Sequence, residues 1–196
     1  GRIIGSDIYD MVSKQRRTFT TQSVMSAIVA GLGERFIQNG RKVADLLDAQ
    51  GFVVYRLFGY SERYFPLNMQ NKAMIYHFDH ANKEYWVLNT SILYPSTVHQ
   101  CGLGKSHPVV HTAGCYAGLV NGWMKDYQSV ALAFINEGAV AYIGGTGKQF
   151  FYAMDIISDY FTRELLNGMD IGTALKEAKI KLLQTDPYVD MTKKTI

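Results

Sequence analysis

The sequence predicts an α/β fold: a three-layer sandwich with a mostly parallel central sheet flanked by helices. Two observations carry this. Short apolar runs of strand length alternate with longer stretches of helical periodicity, the pattern of successive βαβ units. The runs are also almost continuously apolar, without polar alternation, as strands covered on both faces are.

The elements follow in order. Gly1-Arg2-Ile3-Ile4-Gly5 reads as a strand already in progress. Ser6 and Asp7 are candidate helix caps before Ile8, Met11 and Val12. Ser26–Leu32 is an apolar run leading into Gly33, a buried strand. Residues 35–50 carry Phe36, Ile37, Val43, Ala44, Leu46 and Leu47 and stop at Gly51, which predicts a helix. Phe52–Phe58, Ala73–Phe78 and Pro108–Ala113 read as the second, third and fourth strands. A helix with Val130, Ala131, Ala133, Phe134 and Ile135 ends at Gly138. Strand five, Ala139–Ile143, runs into Gly144-Gly145-Thr146-Gly147. Two helices close the pattern, one from about Phe150 to Leu166 and one from about Asp170 to Leu183. No internal repeat or low-complexity tract interrupts it.

Composition bounds the function. The chain has 196 residues, 47% of them apolar and 19% charged, which excludes a disordered chain. A domain of this size buries roughly 70% of its unfolded surface and needs no metal or disulfide staple. The length predicts one domain over residues 1–196, and the ragged ends suggest a piece of a longer chain. No apolar run reaches the roughly 18 residues of a membrane span. The net charge of +3 is scattered, with only Lys14-Gln15-Arg16-Arg17 and Lys193-Lys194 as basic clusters, so nucleic acid is not the expected partner. Two cysteines, Cys101 and Cys115, do not make a disulfide framework.

In open parallel sheets, sites form beyond the carboxyl ends of the strands. His80 follows strand three and Cys115 follows strand four. A thiol with a histidine in reach is the minimal equipment for covalent acyl transfer. The small residues Ala113, Gly114, Ala117 and Gly118 let a substrate backbone approach and leave amides free for an oxyanion. The plain alternative for Cys115 is a small buried hydrophobe at a strand end. The other histidines suggest no metal. His77 and His80, three apart, face opposite sides of a strand. His111 lies inside strand four, and the loop with His99, Cys101 and His107 lacks a zinc quartet. No cofactor is expected either. Ile143–Gln149 looks like a phosphate loop, but Tyr142 stands where the motif needs Gly, and Gln149 where it needs Ser or Thr.

The order of these pieces resembles the gingipain-like branch of the caspase-fold cysteine peptidases. Asp79-His80-Ala81-Asn82, with Trp86 beyond it, is similar to that family's His-Gly-Ser motif and following Trp. Thr112-Ala-Gly-Cys115-Tyr-Ala-Gly118 is similar to its strand ending in Ala-Cys, and the 35-residue step from His80 to Cys115 matches its spacing. Phe134–Gly145, Phe161–Gly168 and Thr173–Lys179 resemble later family segments, and Gly1-Arg2-Ile3 an earlier one. The resemblance covers most of the chain.

It implies a caspase-like fold and a thiol endopeptidase acting on protein or peptide substrates. His80 would be the general base and acid, Cys115 the nucleophile, and the amides of Ala81 and Cys115 the oxyanion hole. Glu34 is the nearest candidate for a His-orienting acid, against a solvated place in the first turn of a helix. Ala113, Trp86 and Gly145, in the Gly144–Lys148 loop, would line the pocket for the residue before the scissile bond; Trp86 reads equally well as core. The family has Gly where Ala81 stands, and a need there for positive φ or close backbone approach would strain Ala. The alternative is a catalytically silent member that keeps the fold as a binding or scaffolding module. Export or a cell-surface location is implied by the resemblance alone. Calcium sites occur among relatives, but no Asp/Asn-rich loop here specifies one.

Overall fold

The computed structural model describes residues 25–31, 33–89, 91–121 and 123–185. The expected opening strand, the helix after Ser6 and the closing segment from Asp190 lie outside these residues. The chain divides into two compact units, residues 1–149 and residues 150–196.

The first unit holds a five-stranded sheet of β1 (Ser26–Gly31), β2 (Val53–Phe58), β3 (Met74–Phe78), β6 (Val109–Thr112) and β7 (Ala141–Ile143). Its order is β2-β1-β3-β6-β7, and every pairing is parallel. The central strands β1, β3 and β6 are buried almost throughout, which explains their mostly apolar sequence without polar alternation. The edge strands β2 and β7 are only partly covered. A two-stranded antiparallel hairpin, β4 (Trp86–Leu88) with β5 (Ser91–Leu93), lies between β3 and β6 in sequence.

Helix α1 (Glu34–Ala49) buries Asn39, Gly40, Val43, Ala44 and Leu47, a stripe at helical spacing. It packs on the sheet face that carries Phe58 and Phe78. A Cβ on Gly40 would lie 2.7 Å from the Phe58 ring, so glycine permits this close approach. Gly51, at φ 83, ends the helix in the left-handed conformation as the sequence predicts.

The opposite face carries Ile28, Ile75 and Val110, which share one register row. They pack in one apolar cluster with Phe65 of α2 (Phe65–Asn68), Val98 of α3 (Pro95–Cys101), Phe134 of α4 (Val130–Asn136), and Trp86, Leu88 and Leu93 of the hairpin. Helices thus flank the sheet on both faces, the α/β architecture the alternation predicts. The hairpin, α2 and α3 were not expected. They are short, and the two helices carry Pro66 and Pro95 in their first turns, so no periodicity announces them.

The second unit is a helical hairpin, α5 (Phe151–Leu166) and α6 (Ile171–Thr185). Ala174, Ala178 and Leu182 form the buried stripe of α6 at i, i+4, i+8. Asp170 caps it, its Oδ1 accepting from Thr173 N at 3.0 Å. No helix among the described residues is long and apolar enough to cross a membrane.

Candidate active site

The sheet register brings the two candidate loops together. β3 and β6 pair from Met74 with Val109 to His77 with Thr112, partners always 35 residues apart. The ladder continues one step, with Ala113 N donating to His77 O at 2.9 Å. His80 and Cys115 stand the same 35 residues apart, so both follow the carboxyl ends of this paired strand couple within a few residues. Beyond the strands the loops touch. A Cβ on Gly114 would overlap the Ala81 Cβ and lie 3.0 Å from Ala81 N and 3.1 Å from its Cα.

The His80 side chain is exposed at this edge, its ring set edge-on to Phe36 of α1 at 5.4 Å between centroids. His77, three residues back, is buried on the other face and stacked on Trp86 at 4.5 Å. Strand alternation separates the two histidines as expected. No hydrogen bond joins Glu34 to His80 among the described residues; Glu34 is exposed in the first turn of α1. Phe36, not Glu34, is the α1 side chain that meets the imidazole.

Cys115 is partly exposed. Gln149 N donates toward its Sγ at 3.4 Å, and Gln149 O lies 4.0 Å from the sulfur. The loop around it is pinned to the turn after β7, Tyr116 N donating to Gly147 O and Gly118 N to Gly145 O, both at 2.9 Å. Tyr116 takes φ 55, a left-handed conformation that this double anchorage holds. A Cβ on Gly118 would overlap the Gly144 carbonyl oxygen, so the two loops close only over glycine.

The amides of Ala81 and Cys115 donate no hydrogen bond among the described residues. An isolated bridge of Ala81 with Trp86 uses the flanking groups, with Val87 N donating to His80 O and Asn82 N to Tyr85 O, each at 2.9 Å. Ala81 is not among the residues with positive φ. Ala81 thus carries no positive-φ strain, and the close approach is made possible by Gly114 across the gap.

The expected pocket residues divide. Ala113 is buried at the end of the β6 ladder, and Gly145 sits against the Gln149 side chain. Trp86 is fully buried in the core cluster, its Nε1 donating to the Tyr142 hydroxyl at 3.0 Å. Burial there pushes the Tyr142 phenol far above its ordinary range. A groove of about 610 Å³ opens elsewhere on this unit between Lys83, Tyr94, Trp123 and Tyr127. Its walls begin with Lys83, soon after His80, and Trp123, soon after Cys115, and Trp123 is 92% exposed.

Two residues at this edge were not singled out from sequence. Asp79 is buried, its Oδ1 accepting from His80 N at 2.6 Å and its Oδ2 without a partner among the described residues. Burial pushes its carboxyl up to about 6, against the pull of the His80 amide and ring. An acid directly before a candidate catalytic histidine was the signal available. In the sequence Gln149 reads only as a mismatch to a phosphate loop, and nothing there announces its contact with Cys115.

The family model described as Peptidase family C25 matches residues 14–196. No curated protein matches the chain. The chain belongs to Peptidase family C25, the gingipain family of caspase-fold cysteine peptidases.

Proposed function

We propose that this member of Peptidase family C25 is an endopeptidase that works through a Cys115–His80 dyad. The observation that carries the reading is the shared register of β3 and β6, which sends both residues off the same edge of the sheet.

The chemistry runs in two halves. Cys115 Sγ attacks the scissile carbonyl carbon while the His80 imidazole takes the thiol proton. The amides of Ala81 and Cys115 receive the negative charge that develops on the carbonyl oxygen. Collapse of this tetrahedral species breaks the C–N bond. His80 gives its proton to the leaving amine, and a thioester remains on Cys115. In the second half His80 takes a proton from water, the hydroxide attacks the thioester, and a carboxylic acid leaves as the thiol re-forms.

The test is peptide cleavage combined with alkylation by iodoacetamide at neutral pH. Wild-type protein should cleave a peptide library and label at Cys115 faster than at Cys101, whose thiol burial pushes up. Cys115→Ala should lose both cleavage and the fast label, and His80→Ala should slow both. Full cleavage by Cys115→Ala sinks the assignment. Slow, unselective labelling without cleavage in the wild type would identify a silent binding module instead.

A further inference from the structure

Resting on that dyad, we propose that His77 and Thr112 form a buried positioning relay that ties the His80 loop to the Cys115 loop. Both side chains are fully buried, and neither touches the reacting atoms in the mechanism above.

The direction of each hydrogen bond follows from its partners. His77 Nε2 lies 2.9 Å from the Val87 carbonyl oxygen, which can only accept, so Nε2 carries the hydrogen. The ring is neutral, since burial pushes it down to about 4. Its Nδ1 is then bare and accepts from the Thr112 hydroxyl at 2.9 Å. Thr112 Oγ1 in turn accepts from Gly114 N at 3.1 Å, one residue before Cys115. At the other end Val87 turns its N–H to the His80 carbonyl at 2.9 Å. The chain of donors therefore runs one way: Gly114, Thr112, His77, Val87, His80. The stacked Trp86 ring fixes the imidazole plane, at 9° to its own.

This arrangement answers a structural need. The β3–β6 ladder stops near Ala113, and backbone pairing alone does not orient the residues beyond it. The relay grips Gly114 on one loop and His80 on the other, through a single ring that cannot turn without breaking two hydrogen bonds. Each His77 nitrogen has one partner. Here both partners lead to the two loops.

The test compares Thr112→Val, which keeps the shape and removes the hydroxyl, with Thr112→Ser, which keeps the hydroxyl. With folding checked by thermal melting, Thr112→Val should lower kcat about 10- to 100-fold with KM nearly unchanged, the scale of a misplaced catalytic group. Thr112→Ser should stay within about threefold of wild type. A ¹⁵N spectrum of wild-type protein should show His77 protonated at Nε2 and bare at Nδ1, and neutral near pH 6. That measurement stands even where Thr112→Val does not fold. Wild-type kcat in Thr112→Val, a rise in KM alone, or the opposite His77 tautomer each overturns the relay while leaving the dyad intact. An inactive wild-type protein overturns the dyad itself, and with it the relay's purpose.

Discussion

The contact between Gly114 and Ala81 gives the sharpest test of how the two loops meet. A Cβ on Gly114 would overlap the Ala81 Cβ and press on Ala81 N at 3.0 Å and Cα at 3.1 Å. Gly114 has no positive φ, so alanine is allowed by the backbone and the clash alone decides the outcome. Overpacking of this kind costs about 1–3 kcal/mol. Gly114→Ala should therefore destabilise by about 2 kcal/mol and push the loops apart, lowering kcat by as much as about 100-fold for an ångström of displacement. Ala81→Gly alone removes one half-buried methyl and loosens the backbone, a loss of about 1 kcal/mol. In the double variant the methyl has moved across the gap and the Cβ–Cβ overlap is gone. The close backbone atoms of residue 81 remain, so recovery is incomplete. The assay is a double-mutant cycle, read by urea unfolding and by peptide kinetics. The expected coupling is about 1–2 kcal/mol in favour of the double variant. Additivity within about 0.5 kcal/mol would refute the idea that Gly114 makes room for Ala81.

Other predictions concern pH and substrate. Burial holds His77 and His111 at about 4, whereas unfolded histidine titrates near 6.5. Between these values the unfolded chain takes up two protons that the folded chain refuses. Asp79, held at about 6 against 3.8, acts in the opposite sense, the folded chain keeping one proton over most of that range. Unfolding near pH 5 thus takes up a net of about one proton, and stability should fall by about 1.4 kcal/mol per pH unit on acidification from pH 6 to pH 4. A urea midpoint that rises over this range contradicts the assignment. Asp79→Asn removes a carboxylate that is buried and ionised above pH 6, so it should stabilise by up to about 3 kcal/mol at pH 7 and give no gain at pH 4; equal gains at both pH values would mean the charge is not the cause. Trp123→Ala should leave the melting temperature unchanged, the side chain being 92% exposed, and raise KM for long peptides about tenfold with kcat kept. Unchanged KM for every peptide length removes the groove from substrate binding.

The sheet was legible because its central strands advertise themselves. Ala27–Gly31 is apolar without alternation, and in Met74–Phe78 and Val109–Thr112 only His77, His111 and Thr112 interrupt the apolar run, the pattern of strands buried on both faces. The placement of His80 and Cys115 past strand ends was legible for the same reason. What sequence did not carry was the company they keep. Glu34 sits on α1 two residues before Phe36, and helical geometry turns Phe36 toward His80 while Glu34 stays in water. Trp86 read equally as pocket wall or core, and the hairpin it opens carries it into the core against His77 and Phe134. Gln149 reaches Cys115 through a turn closed by three glycines, whose path no local periodicity specifies.

Three independent constraints then act on one narrow gap between loops. The β3–β6 ladder fixes where the two loops begin, since a slip of one residue by either strand would turn that strand's side chains to the wrong face. Gly114 against Ala81 fixes separation, because van der Waals contact tolerates only tenths of an ångström. The His77–Thr112 chain fixes orientation, because hydrogen bonds weaken steeply with angle. None of the three can substitute for another, and their failures differ. Loss of register would destroy the fold, loss of spacing would cost stability and rate together, and loss of the relay would cost rate with substrate affinity retained. The two variant series at residues 112 and 114 therefore separate orientation from distance, two quantities that a single substitution at His80 or Cys115 removes at once.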